Sequence, residues 1–308
     1  MATLKYKNPA TSAWETLDAL PAIGQTVEIT ATELAGKSTA DRAAMYAAGT
    51  RLLKVVNGDT EVLLGLGADG STEWLGNNKT IRNLLDNSDF EIAQAGYGGS
   101  HGAQAYACDR WKLISGTISH DNAGLALNGT IAQVLENAPS GPVTAAASAG
   151  TITYDASAKT VTIATTEATV IAWAALYEGS YTADTLPPYT PKGYAAELAE
   201  CQRYYQRINA SYPIMASGYT ISTNAARIAA QLQNIMRIAP TVTVDATKVG
   251  IIYNGQYLYA ESANWSTEVA KKKPIISADM TLSGAPFQGL GYPIITYLEA
   301  DIDVSADL

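Results

Sequence analysis

From Asn87 to Tyr189 the chain is a succession of short alternating segments: Trp111-Lys112-Leu113-Ile114, Gly124 to Leu127, Thr130 to Leu135, Gly150 to Tyr154, Thr160 to Thr165 and Ala168 to Leu176. A period of two puts every other side chain on one face. Turn residues interrupt the pattern at spacings typical of an antiparallel sandwich, which gives such short strands a shared core. The run Asp155-Ala156-Ser157-Ala158-Lys159 reads as a hairpin loop, and Pro187-Pro188-Tyr189-Thr190-Pro191 as a rigid connector that no central strand can contain.

The flanking segments read differently. Gly24 to Thr30 is strand-like, Ser38-Thr39-Ala40-Asp41 supplies a helix N-terminus with an acidic first turn, and Arg42 to Ala48 is rich in helix formers before Gly49. Arg51 to Val56 and Thr60 to Leu66 flank Asn57-Gly58, a hairpin signal because a type I′ turn needs positive φ at both central positions. Gly65 to Asn78 is rich in glycine and asparagine. Together these make a small α+β or mostly β unit. Beyond the prolines, Gly193 to Ala199 is helix-prone and leads into Cys201 to Ile208. The remainder is β: Ser217 to Thr223, Ala225 to Leu232, Thr241 to Val244, Val249 to Tyr253, Gln256 to Tyr259 and Ile294 to Leu298, although Ala225 to Met236 would suit a helix equally well. At roughly 100–150 residues per domain, a chain of 308 residues holds two or three domains. The texture divides it into 1–82, 83–190 and 191–308, and the expected fold class is mostly β.

Twenty Lys and Arg face 29 Asp and Glu, a formal charge of −9, so the basic footprint that nucleic acid requires is missing. Only Cys108 and Cys201 occur, which supports neither a disulfide scaffold nor a thiolate metal site. The start has no apolar core of a signal peptide, and no stretch approaches the roughly 18 apolar residues of a membrane span. A soluble chain without membrane insertion is expected. The aromatics are 18 Tyr, 5 Trp and 2 Phe, a bias that suits surfaces and interfaces because Tyr carries a polar handle.

Two strings imitate catalytic motifs. Gly65-Leu66-Gly67-Ala68-Asp69-Gly70 fits G-x-G-x-x-G, but a dinucleotide site needs a helix to open at once so that its N-terminal amides meet the pyrophosphate, and Ser71 to Asn78 has no helical period. Gly98-Gly99-Ser100-His101-Gly102 fits G-x-S-x-G, yet its flanks supply neither the apolar strand nor the helix of a nucleophile elbow. A glycosidase pair among the carboxylates is defined by separation in space, not by sequence. No enzyme, cofactor or metal is expected. Asn87, Asp89, Asp109 and Glu178 have the oxygen ligands of a structural Ca²⁺ site, and equally the chemistry to cap turns or to pair with Arg110.

Five stretches in order carry a resemblance. They are Asn83-Leu84-Leu85-Asp86-Asn87-Ser88-Asp89-Phe90-Glu91-Ile92-Ala93-Gln94; Tyr106-Ala107-Cys108-Asp109-Arg110-Trp111; Ala174-Ala175-Leu176-Tyr177-Glu178-Gly179; Ala195-Ala196-Glu197-Leu198-Ala199-Glu200-Cys201-Gln202-Arg203-Tyr204-Tyr205; and Met236-Arg237-Ile238-Ala239-Pro240-Thr241-Val242-Thr243. Over residues 83–308 the chain resembles a family of bacteriophage and prophage tail-fibre proteins. The resemblance implies a jelly-roll sandwich similar to carbohydrate-binding modules, a short helix and a second, C-terminal β domain, in a receptor-binding protein that is usually a homotrimer. The implied place is the virion tail, assembled in the bacterial host cytoplasm, with other tail or baseplate proteins as partners. Residues 1–82 fall outside it and by position are read as the tail or baseplate adaptor.

Binding of a bacterial surface polysaccharide without cleavage is the function expected. On such a scaffold loops carry recognition, and the stretch from Gly96 to Tyr106 has the composition for it. Tyr97 and Tyr106 offer flat faces to pyranose C–H groups, while Ser100, His101 and Gln104 offer donors and acceptors to hydroxyls. The same loop equally suits trimer packing, as do Tyr253, Tyr257 and Tyr259 with Trp265, and the alternative is a purely structural trimeric tail component. Phe90, Trp111 and Trp173 are expected in the core.

Overall fold

The computed structural model describes residues 5–7, 14–16, 25–77, 81–95, 106–121, 123–208, 216–245, 248–253, 256–283, 286–287, 293–298 and 301–306. The chain is mostly β, with twenty-three strands against three α-helices among the described residues. Its contacts group it into two units, one of residues 1–84, 138–146 and 175–190, the other of residues 85–137, 147–174 and 191–308. Among the described residues no helix is long and apolar enough to cross a membrane.

In the first unit a four-stranded sheet runs in the order Gln25–Thr30, Thr50–Asn57, Thr60–Leu66, Thr72–Asn77. The first pair is parallel, so the chain has to cross over, and the helices Ala31–Ala35 and Thr39–Ala47 make the crossing. Ser38 starts the second helix as expected: its Oγ accepts from Asp41 N at 3.1 Å and Asp41 Oδ2 accepts from Ser38 N at 2.9 Å. Leu34, Leu53, Val55, Val62 and Leu64 form the core. The hairpin turn sits one residue later than Asn57-Gly58, because Asn57 pairs with Thr60 and leaves Gly58-Asp59 at the tip. Of these only Gly58 has positive φ, at 62°, so the turn is not type I′. The glycine string is another tight turn, closed by Gly67 N to Ser71 O at 2.8 Å and Gly70 N to Gly67 O at 3.0 Å. It opens a strand, Thr72–Asn77, and not a helix. Val143–Ala147 and Ala174–Glu178, which fall in this unit except for Ala147 and Ala174, form a two-stranded sheet.

The second unit begins with a six-stranded antiparallel sheet in the order Thr151–Asp155, Thr160–Ala164, Gly124–Val134, Trp111–Asp121, Tyr106–Cys108, with Thr169–Ile171 also paired to Gly124–Val134. The two separate runs expected between Gly124 and Leu135 are one long strand. What disguises it is Gly129, which faces Gly116 across the hairpin. Both glycines have positive φ, and a Cβ on either would lie 2.2 Å or less from a carbonyl oxygen of the facing strand. The expected segment from Ala168 to Leu176 is broken at Ala172-Trp173, and its halves join different sheets. The Asp155 loop is the hairpin expected, with Asp155 Oδ1 accepting from Ser157 N at 2.8 Å and Ala158 N at 3.1 Å. Phe90 and Trp111 are fully buried with ring centroids 5.3 Å apart; Trp173 is only half-buried.

Further along, the helix Tyr194–Cys201 precedes a small sheet of Tyr205–Ile208, Ile302–Ser305 and Thr241–Thr243. Six strands then close a barrel in the order Ala216–Thr220, Ala225–Gln231, Ile275–Leu282, Gln256–Ser266, Val249–Tyr253, Pro293–Leu298. The ambiguous segment is a strand: Ala226, Ile228 and Ala230 point inward while their neighbours do not, a period of two that no helix shows. So narrow a barrel is filled by small and flexible side chains, Ala226, Ala260, Ala278 and Met280 among them. Tyr253 and Trp265 pack against this core, Tyr253 edge-on to Phe287 at 5.1 Å, whereas Tyr257 and Tyr259 are exposed. Replacing Gly116 or Gly129 with Ala is expected to destabilise by about 2–4 kcal/mol, from left-handed strain plus a forced strand separation. Gly141→Ala, where nothing lies within 4 Å, serves as the near-neutral control in the same denaturant titration.

Candidate functional site

Of the loop expected from Gly96 to Tyr106 the structure describes Tyr106, and of its flanks Ala95; Tyr97, Ser100, His101 and Gln104 lie outside the described residues. Both emerge from one buried polar cluster. Asn87 is fully buried, and its side-chain amide uses each of its hydrogens: Nδ2 donates to Ile92 O at 2.9 Å and to Asp109 O at 2.7 Å, while Oδ1 accepts from Ile92 N at 2.9 Å. Its carbonyl accepts from Trp111 Nε1 at 2.9 Å. These bonds tie the Asn87–Gln94 segment to the Asp109–Arg110 turn. The backbone is strained to make them, since Asn87, Phe90 and Arg110 all adopt positive φ, at 50°, 62° and 73°. For a bulky residue such as Phe90 this is tolerated only where the surroundings dictate it.

Helix Tyr194–Cys201 completes the cluster from below. The Glu197 carboxylate, 1% exposed as a side chain, accepts from Asn87 N at 2.7 Å and Ser88 Oγ at 3.2 Å, with Lys192 Nζ at 3.9 Å. Burial pushes its pKa up, opposed by Lys192 and by the Asn87 and Ser88 donors. Arg110, also buried, donates to Asp86 Oδ2 at 3.0 Å and Val134 O at 2.7 Å, and its guanidinium lies 3.5 Å from the Tyr204 ring centroid. Burial, then the carboxylates Asp86 and Glu136, lift Tyr204 to about 12, opposed by Arg110.

Above the cluster is a cavity of about 140 Å³. Ala93, Ala95, Tyr106, Cys108, Asp109, Arg110, Tyr205 and Ser305 line it. Asp109 is held by Gln94, whose backbone N donates to Oδ1 at 3.0 Å and whose Nε2 donates to Oδ2 at 2.6 Å. Arg207 braces the rim: it donates to Ala95 O at 3.1 Å and pairs with Asp303 Oδ1 at 2.8 Å, which also accepts from Tyr205 Oη at 2.5 Å. Burial and the nearby Asp109 and Asp89 carboxylates push the Cys108 thiol up, so it stays protonated and a poor nucleophile.

Of the expected contacts, then, the structure places Tyr106 at a cavity. The oxygen-rich residues are each engaged in hydrogen bonds of their own. Asn87 and Asp109 are committed to the cluster, Asp89 Oδ1 accepts from Glu91 N at 3.4 Å, and Glu178 Oε1 accepts from Ser140 Oγ at 3.4 Å. Among the described residues no set of three or more His, Cys, Asp or Glu side chains is arranged to hold a metal ion. Sequence reasoning missed Ser305 as part of the wall, and Gln94, Arg207 and Asp303 as the residues that hold it. Arg207 and Asp303 are 96 positions apart and adjacent only because Tyr205–Ile208 pairs with Ile302–Ser305.

No protein-family model, curated protein or solved structure matches the chain.

Replacing Asn87 with Ala strands the buried Ile92 N–H and Asp109 carbonyl and is expected to cost about 3 kcal/mol in urea unfolding. Glu197 gives a pH test. Its folded pKa is raised, so the folded state binds the proton more tightly. Its linked contribution is full below the ordinary value of 4.5 and is lost as pH rises through the folded value. The stability of wild type relative to Glu197→Gln should therefore fall as pH rises from about 4.5.

Proposed function

We propose that this chain is a tail-fibre or baseplate receptor-binding protein of a bacteriophage or prophage, which attaches the virion to a bacterial surface glycan by binding it without cleavage. In this reading residues 83–190 form a jelly-roll carbohydrate-binding domain, of which the six-stranded sheet is one layer. Residues 191–308 form its C-terminal β domain, residues 1–82 dock to the tail or baseplate, and three copies assemble as a fibre in the virion.

The observation that carries the proposal is the meeting of the motif stretches. Asn87 and Ser88, Asp109 to Trp111, Glu197 and Tyr204 come from three of the five stretches and share one hydrogen-bonded cluster. A fourth touches it where Ala174 N donates to Ser88 O at 2.8 Å, and a fifth where Arg237 N donates to Arg203 O at 2.9 Å. Stretches related in sequence only by their family-like order are thus neighbours in space, and the cavity beside Tyr106 opens directly over them. Non-catalytic binding fits the cavity's chemistry, in which the thiol is protonated, the carboxylate is held by Gln94 and the guanidinium is neutralised by Asp86.

A second reading rests on the barrel, where Tyr219, Tyr257 and Tyr259 are 45%, 58% and 41% exposed. Aromatic rings on an outer wall suit subunit packing, and a purely structural trimeric tail component would use them so.

The discriminating experiment is adsorption of the purified protein to bacterial strains of defined surface polysaccharide, with reducing ends measured in parallel. Strain-selective binding that falls at least tenfold in Tyr106→Ala, with no release of reducing ends, is expected. Selective binding unchanged in that variant would remove Tyr106 from the account, absence of binding to every strain would favour the structural component, and sustained release would make the protein a depolymerase.

A further inference from the structure

The pair Asn-Gly occurs at 57–58 and again at 128–129, and the structure puts these two chemically identical pairs in opposite settings; a third, Asn254-Gly255, lies outside the described residues. In such a pair the glycine amide nitrogen attacks the side-chain carbonyl carbon of the asparagine, since no Cβ on the following residue blocks the approach. The attacking nitrogen loses its proton, the new C–N bond closes a succinimide ring, and Nδ2 takes up the proton and leaves as ammonia. Water then adds to one of the two ring carbonyls and opens the ring to aspartate or isoaspartate.

The rate depends on whether the backbone can turn to bring that nitrogen to Cγ. Asn128 lies inside the strand Gly124–Val134, opposite Thr117. Gly129 N donates to Thr165 Oγ1 at 3.2 Å and Gly129 O accepts from Thr165 N at 2.8 Å. Turning that peptide means parting the strands of a sheet, which demands a large opening. Asn57 instead ends the strand Thr50–Asn57, and Gly58, exposed with φ of 62°, stands at the hairpin tip where a Cβ would meet nothing within 4 Å. Fraying there opens only the Asn57–Thr60 pair and the tip's hold on Ser180. The bond from Asn57 Nδ2 to Ser180 O, 3.1 Å long, slows the reaction by roughly tenfold at most.

We propose that Asn57 is a site of spontaneous deamidation, with water as the co-reactant, and that its conversion releases the segment it grips. The tip holds Ser180 through both backbone groups: Asn57 Nδ2 donates to Ser180 O, and Thr60 Oγ1 accepts from Ser180 N at 3.0 Å. Aspartate at this position sets a carboxylate oxygen against the Ser180 carbonyl, acceptor against acceptor. Isoaspartate adds a methylene to the main chain and breaks the Asn57–Thr60 pairing. The first unit thus carries a slow, irreversible change that quickens as pH rises, because the attacking nitrogen must lose its proton. The glycan-binding reading plays no part in it.

Peptide mapping by mass spectrometry on the full-length chain, aged at mildly alkaline pH, tests the site. Native protein should convert Asn57 at least about tenfold faster than Asn128, while in concentrated urea the two rates should agree within about threefold. Equal rates in the native protein, faster conversion at Asn128, or conversion of Asn57 in urea alone would overturn the site. The release is tested by hydrogen exchange on Asn57→Asp, which carries the product's side chain from the start. Its Ser180 amide should exchange at least about tenfold faster than in the wild type, with Leu53 and Val55 in the core of the neighbouring sheet as protected as before. Unchanged exchange at Ser180 in the variant and in aged wild-type protein would overturn the release.

Discussion

One buried amide holds this structure's second unit in register. Asn87 ties together two turns that carry three left-handed residues, Asn87 and Phe90 in one and Arg110 in the other, a conformation that costs on the order of 1–3 kcal/mol for each non-glycine residue. Such strain persists because alternatives are worse. Relaxing the turns would leave the Asn87 amide, Ile92 N–H and Asp109 carbonyl buried without partners, and would pull Phe90 and Trp111 out of the core they fill together. The result is a stretch whose geometry is fixed before any ligand arrives. Ala93 and Asp109, on the wall of the cavity, hang directly from it, and Gln94 holds the Asp109 carboxylate.

The same cluster reaches outward to the barrel side of the unit. Glu197 brings its helix to the Asn87–Ser88 backbone, and Arg110 lies against Tyr204, whose hydroxyl donates to Glu136 Oε2 at 3.1 Å. Two residues on, Gln206 donates to Gln202 O and Asn234 O, both at 2.8 Å, and accepts from Gln233 N at 2.7 Å. Sheet, helix and the segment leading into the barrel are thus joined by polar groups that are costly to leave unpaired, and not by apolar area alone. Buried polar networks specify geometry more sharply than interchangeable apolar contacts do. A site that must present a preformed surface benefits from that.

Much of the fold is legible in the sequence because it rests on local rules. The Ser38 capping box and the Asp155 hairpin follow from neighbours a few residues away. Sequence and structure part where a distant constraint overrides the local one. Gly116 and Gly129 look like breaks between strands, yet each exists because the other's strand passes too close for a side chain. Val143–Ala147 and Ile275–Leu282 carry weak strand signals, the first for its alanines and the second for lying among lysines and a proline. Of the site, Tyr106 is identifiable from composition, and Glu197 and Tyr204 are marked as parts of a motif without a role. The pairing of Arg207 with Asp303 has no trace in the sequence, because it is created by strand pairing across 96 positions.

The proposed binding at this cavity requires a wall that is rigid in the absence of ligand. Native-state amide hydrogen exchange on the full chain reports this residue by residue. The Ile92 and Asp109 amides, bonded to Asn87 Oδ1 and Ile92 O, should exchange only through the same large opening that exposes the core strand at Leu125 and Leu127. Exchange at Ile92 and Asp109 as fast as at Ser157 and Ala158 of the exposed hairpin loop, with Leu125 and Leu127 still protected, would contradict a preformed site.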